Sequence, residues 1–303
     1  MTIEKFRGAI LGFAIGDALG MPVENMSREE IKRKYGEVRD FMPSPFGDLK
    51  AGEWTDDTEQ MILLAESILE TTYFSPEKFA EKLKNLSSHR IGPTTRQAIN
   101  NLILDIPWYR AGIESETCGS AMRVIPIGLV YSFNLDLVER YAMASSYVTH
   151  KGPAIGGAVA VATAIACIMN EMNEEDMVKE VVNRTKKYDD LIADKIAYAY
   201  QISDKSPDYA LDKLGNSILV YESVPFAFYC YFSSFDFKTC AIKAINSGGD
   251  ADTVSAIACG MFGCKVGINN IPENWIRKIK NADYLIRLAD KLHDLYILIV
   301  SFY

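Results

Sequence analysis

Apolar residues recur at three- and four-residue spacing along most of this chain. Only a period near 3.6 keeps such positions on one face, so the pattern predicts helices. They fall over Phe6–Leu19, Met61–Leu69, Phe79–Leu86, Ala121–Tyr131, Leu135–Val148, Met177–Val182, Leu191–Ile202, Val254–Val266 and Trp275–Leu295. Convincing period-two alternation is absent. Turn signals separate the helical runs at Met42-Pro-Ser-Pro-Phe-Gly47, Ser206-Pro207, Ser247-Gly-Gly249 and Asn269-Asn-Ile-Pro272. No repeat, low-complexity segment or Pro/Ser linker interrupts them. The expectation is one all-α domain over residues 1–303, with residues 36–55 as a candidate active-site loop.

Residues 152–170 carry no charge and are long enough to cross a bilayer. They are mostly Ala and Gly, which reads as a central helix packed closely on all sides. The apolar C-terminal run, Tyr296–Tyr303, is too short to span, and the N-terminus lacks a signal-peptide layout. A net charge of −8 with no Lys/Arg run excludes the usual electrostatic footprint for nucleic acid. An anionic substrate would then need local attraction, from metal ions or helix N-termini. The six cysteines form no C-x-x-C pair and are read as buried free thiols of a cytoplasmic protein. Three histidines cannot build a His-rich zinc site.

Candidate chemistry sits at two helix starts. Thr55-Asp56-Asp57-Thr58-Glu59 precedes the Met61 run, and Asp250-Ala-Asp252-Thr253 follows two glycines before the Val254 run. Either cluster can cap its helix, since side-chain oxygens accept from free N–H groups and acids suit the positive end of the dipole. A cap needs one such residue, and each cluster has one carboxylate too many. If the clusters converge, like charges ~5 Å apart cost ~3 kcal/mol per pair at an effective dielectric of ~20. Hard divalent cations would relieve that cost, and carboxylate and hydroxyl oxygens suit Mg²⁺ or Mn²⁺.

Six ordered motifs extend the picture: FRGAILGFAIGDALGMPVE (6–24), WTDDTEQ (54–60), IGPTTRQAI (91–99), GSAMRVIPIGL (119–129), VTHKGPAIGGA (148–158) and SGGDADTVSAIACGMFG (247–263). Together they resemble the ADP-ribosylglycohydrolases over nearly the whole chain. The resemblance implies a single orthogonal multi-helix domain of that type with two Mg²⁺ or Mn²⁺ ions. Its ligands would be Thr55, Asp56, Asp57, Asp250, Asp252 and Thr253. Glu24 matches a catalytic glutamate on a loop near the metals. The implied reaction is hydrolysis at the distal ribose C1 of ADP-ribosylated arginine or serine side chains, or of related ADP-ribosyl compounds, releasing ADP-ribose. Glu24, Asp57 or Asp252 would take the proton of the attacking water. The Gly119-Ser120 turn and Gly92 are expected to offer backbone to phosphate, and His150 to contact substrate. Two positions depart from the family pattern: Cys118 stands where Asn is usual, and Arg90 where an acid is common.

Two other readings compete. An isoprenoid synthase needs D-D-x-x-D, and Gln60 stands where the third acid would fall. A non-catalytic ADP-ribose-binding or crystallin-like relative would not need every ligand and Glu24, all of which are present. Arg123 is expected to hold neighbouring loops, Gly16 and Gly20 to let helices approach closely, and Asp17 and Glu53 to be caps or supporting partners.

Overall fold

Two antiparallel helices, Thr2–Gly20 and Ala251–Val266, pack backbone against backbone. The N-terminal helix carries Gly8, Gly12, Gly16 and Gly20 at every fourth position, which places them on one face. A Cβ on Gly16 would stand 2.2 Å from the carbonyl oxygen of Ser255, and one on Gly20 2.2 Å from that of Ala251. Gly8 and Gly12 meet the carbonyls of Gly263 and Cys259 in the same way. No side chain fits between these backbones.

The computed structural model describes residues 2–302. They form 17 α-helices, and the strands among them are two parallel two-residue segments, Ile113–Glu114 and His150–Lys151, with Ile113 opposite His150. One cluster of buried apolar side chains joins elements from Phe6 to Leu295. Every residue of the Ala154–Met169 helix is buried, as its uncharged, small-residue sequence implies. The segment Thr2–Val23 is long and apolar enough to cross a membrane, yet it is buried inside the protein from Gly8 onward. All six cysteines are buried and free.

Two predicted helices are each broken in two. Ala121–Tyr131 becomes a 3₁₀ turn, Ala121–Arg123, followed by a helix over Ile125–Val130. Pro126 has no N–H to donate, so it belongs in a first turn rather than mid-helix. Trp275–Leu295 becomes Glu273–Lys278 and Ala282–Val300, with Asn281 left-handed between them at φ 59°. Helices without an apolar stripe escaped the pattern. Val220–Phe232 is apolar on all sides and contains Pro225. Pro93–Ile103 is largely polar and opens on proline.

Residues 36–55 are largely irregular. Asn246 pins their start through both hydrogen bonds to the Val38 backbone (2.8 and 2.9 Å). The Trp54 indole and the Gly52 carbonyl tie their end to Lys280.

Substituting Gly16→Ala forces a methyl group against the Ser255 carbonyl. Overpacking of this kind costs ~1–3 kcal/mol. Thermal unfolding should show a clear loss of stability, and an unchanged melting temperature would refute the backbone contact.

Candidate active site

The glycine contact brings Asp17 to the start of the Asp56–Thr71 helix. The fully buried Asp17 carboxylate accepts from the Thr55 N–H (3.0 and 3.1 Å), the Thr58 N–H (3.1 Å) and the Thr58 hydroxyl (2.6 Å). Thr55 adds the local cap by accepting from the Asp57 N–H (3.3 Å). Capping is therefore done by Asp17 and Thr55, and neither Asp56 nor Asp57 is needed for it. Asp56 Oδ2 accepts from Gln60 Nε2 (2.8 Å), while Asp57 Oδ2 is buried with no partner among the described residues.

The second cluster is positioned by the turn before it. Gly248 and Gly249 both have positive φ, +71° and +65°, which side chains disfavour. The Gly249 N–H donates to the Met26 carbonyl (2.8 Å), and the Gly249 carbonyl accepts from the Asn25 N–H (2.8 Å). This ties the Glu24 loop to the start of the Ala251–Val266 helix. The Asp250 side chain makes no cap and accepts instead from the Cys118 thiol (Sγ···Oδ2 3.0 Å). Asp252 Oδ1 accepts from the Thr253 N–H (3.0 Å).

Glu24, Asp56, Asp57, Asp250 and Asp252 line one cavity of about 130 Å³, together with Arg90, Gly92, Thr94, Thr95, Thr117, Cys118, Gly119, His150 and Thr253. A roomier groove of about 630 Å³ runs between Glu66–Glu70 and Tyr284–Leu298, but none of the buried carboxylates reaches it. Thr55 and Ser120 do not line the cavity. The Ser120 hydroxyl donates to the Ala154 carbonyl (3.1 Å) and accepts from Ser146 (2.8 Å), so Ser120 can offer only its backbone. Neither the Gly119 nor the Ser120 N–H has an acceptor among the described residues. Residues 36–54 do not line the cavity either. Arg90 stands between, with its guanidinium on Asp48 (2.8 and 3.0 Å), Ser44 (2.8 Å) and Glu24 (3.2 Å).

The electrostatics follow from burial without counter-charge. No Lys or Arg forms an ion pair with Asp17, Asp56, Asp57, Asp250 or Asp252 among the described residues. Arg90, the cation on the wall, is paired with Glu24 and Asp48. Burial, then the Asp17 charge, pushes Asp56 up to about 7. Burial raises Asp250 to about 7 and Asp17 to about 6. Asp57 lies well above the usual range through burial and the charges of Asp252, Asp17, Asp56 and Asp250. Asp252 does so through burial, Glu24, Asp250 and Asp17. Glu24 is raised by burial, against the pull of Arg90. The four aspartates thus act on one another across the cavity. Among the described residues, however, no three acids, histidines or cysteines are gathered into a ready ligand shell.

His150 lies on the opposite wall, buried, with Nδ1 2.7 Å from the Thr149 hydroxyl and Nε2 beside Gly119. A Cβ on Gly119 would be 2.6 Å from that nitrogen, so glycine is required there. Gly92 is the N-cap of Pro93–Ile103, and a Cβ there would meet nothing within 4 Å. Sequence reasoning named Asp17 without assigning it to the site and missed Gln60, although Gln60 stands one helical turn after Asp56.

Comparison with known proteins shows the family. The ADP-ribosylglycohydrolase family model matches residues 1–298. The chain belongs to that family, and it is accordingly a hydrolase of glycosidic bonds. A protein of Archaeoglobus fulgidus is 58% identical over 98% of this chain and 99% of its own. The ADP-ribosyl-[dinitrogen reductase] glycohydrolase of Rhodospirillum rubrum is 29% identical over 94% of this chain and 97% of its own. A solved structure described as an ADP-ribosylglycohydrolase-related protein complex superposes with a TM-score of 0.84 at 26% identity, covering 97% of this chain and 99% of that one.

The raised carboxyls carry a sign. They hold protons more tightly when folded than when unfolded, so without divalent cations stability falls as pH rises from about 4 to about 7. Moving one carboxyl from 3.8 to about 7 corresponds to ~4 kcal/mol across that window. Melting temperatures in EDTA should be higher at pH 5 than at pH 8, and a flat or opposite profile would refute the charge balance described.

Proposed function

We propose that this protein is a metal-dependent ADP-ribosyl hydrolase. It would cleave the bond at the distal ribose C1 of ADP-ribosylated arginine or serine side chains, or of a related small ADP-ribosyl compound, and release ADP-ribose. The observation that carries this reading is the set of four buried aspartates on one cavity with no cation paired to them.

The donor set fits two Mg²⁺ or Mn²⁺ ions. It is all oxygen, from Asp56, Asp57, Asp250, Asp252 and Thr253, and Asp57 Oδ2 is a buried acceptor with nothing to accept from. Thr55 accepts from the Asp57 N–H and keeps a second lone pair for an ion, although it does not line the cavity. Bound there, such ions would offset the carboxylate repulsion and make a water more acidic.

The chain's own groups divide the remaining work. Glu24 stands at the cavity edge, half-buried and raised by burial, suited to take a proton from the attacking water. Asp57 and Asp252, both raised well above the usual carboxylate range by burial and neighbouring charge, are the alternative acceptors. The opposite wall is rich in donors. The Pro93–Ile103 helix opens on the cavity through Gly92, and its first N–H groups, on Thr94 and Thr95, have no intrahelical acceptor. With the free N–H groups of Gly119 and Ser120 they suit a diphosphate, giving an acidic protein local attraction for an anion. Six free, buried thiols support a cytoplasmic setting.

Two measurements test the reading. Release of ADP-ribose from arginine- and serine-linked substrates should need Mg²⁺ or Mn²⁺, stop in EDTA, and fall at least about a hundredfold in Asp56→Ala and Asp252→Ala. Release that persists in EDTA would sink the metal requirement. Gly92→Ala places its methyl in open space, so the melting temperature should hold while KM for the ADP-ribosyl substrate rises. An unchanged KM would remove Gly92 from the binding wall.

A further inference from the structure

One fully buried cation has no carboxylate partner among the described residues. Arg123 donates Nη1 to Gln60 Oε1 (2.7 Å) and Nη2 to the Ser145 carbonyl (2.8 Å) and the Thr149 hydroxyl (2.7 Å). Its guanidinium lies 4.9 Å from the centre of the Phe79 ring. Burial pulls it down to about 9, so it stays charged at neutral pH. From this one group, hydrogen bonds run to both walls of the cavity.

The direction of each bond is set by chemistry. Arginine can only donate, so Gln60 must offer its oxygen to Arg123 and its amide N–H to Asp56 Oδ2. On the other side, Arg123 occupies a lone pair of Thr149 Oγ1. The Thr149 proton then needs an acceptor, and His150 Nδ1 stands 2.7 Å away. If Nδ1 carried the ring proton instead, Thr149 would receive two donors and its own buried proton would be left unpaired. Nδ1 therefore accepts, and the ring proton sits on Nε2. Burial and the Arg123 charge also hold the ring neutral. Nε2 has no protein partner among the described residues and belongs to the cavity wall beside Gly119.

We infer that Arg123 is a positioning residue that, through Thr149, locks His150 in the Nε2–H tautomer, so that the cavity receives a fixed neutral donor. The same cation, through Gln60, fixes the orientation of Asp56. The complementary ligand atom is an acceptor oxygen, such as a hydroxyl or phosphate oxygen. The ligand half of this inference rests on the proposed function, and the tautomer half does not.

The test is long-range ¹H–¹⁵N NMR of the full chain, with His89 and His293 assigned by single His→Gln variants. The wild type should show His150 as the Nε2–H form at pH 6 and pH 8. Thr149→Ser should keep that pattern. Thr149→Val and Arg123→Lys should show Nδ1–H signal, and Thr149→Val should weaken ADP-ribose binding by calorimetry about tenfold with Mg²⁺ binding unchanged. An Nδ1–H or protonated His150 in the wild type overturns the inference, whether or not the variants fold. A correct tautomer in a protein that does not bind ADP-ribose overturns the functional reading and leaves the relay standing.

Discussion

Everything in the site hangs on the contact between the Thr2–Gly20 and Ala251–Val266 helices. Four glycines remove the side chains that would hold these backbones apart. The separation they allow places Asp17, at the end of one helix, near Asp252, at the start of the other. Asp17 in turn fixes the Thr55–Thr58 turn with four hydrogen bonds, and so delivers Asp56 and Asp57 to the same point. Residues far apart in the chain thus become neighbours through packing that involves no functional side chain.

The second constraint is electrostatic. Burying several acids without basic partners is unfavourable, and proteins tolerate it where function depends on it. Here the cations nearby are all committed elsewhere. Arg90 is spent on Glu24, Asp48 and Ser44, and Arg123 faces neutral acceptors. The acids are left to repel one another, and the proposed metal site rests on that imbalance. The departure at Arg90 has a structural meaning. At this position the chain places a clasp between the 44–48 loop and the Glu24 loop.

Much of this was legible beforehand, and the exceptions have causes. The helical class followed from the apolar period, and the surplus carboxylates at two helix starts marked the site. What a pattern of apolar stripes cannot show is a helix with no stripe, such as Val220–Phe232, or one whose exposed face dominates, such as Pro93–Ile103. The single helix expected over Ala121–Tyr131 divides because Pro126 lacks an N–H and belongs in a first turn. Ser120 is expected to offer its backbone to phosphate, and its hydroxyl, turned into the core, leaves only that backbone to offer. Asp17 was hidden because its role is long-range, joining the last turn of one helix to a turn that spacing alone does not connect.

The glycine stripe also bears on how the chain is made. The Thr2–Gly20 helix is synthesised long before the Ala251–Val266 helix that covers its bare backbone. Until then a long apolar helix has no partner for its flattest side. Its native contacts are among the most distant the chain can form, which slows folding and prolongs exposure of sticky surface. The feature that assembles the site in the finished protein is therefore a liability in the unfinished one.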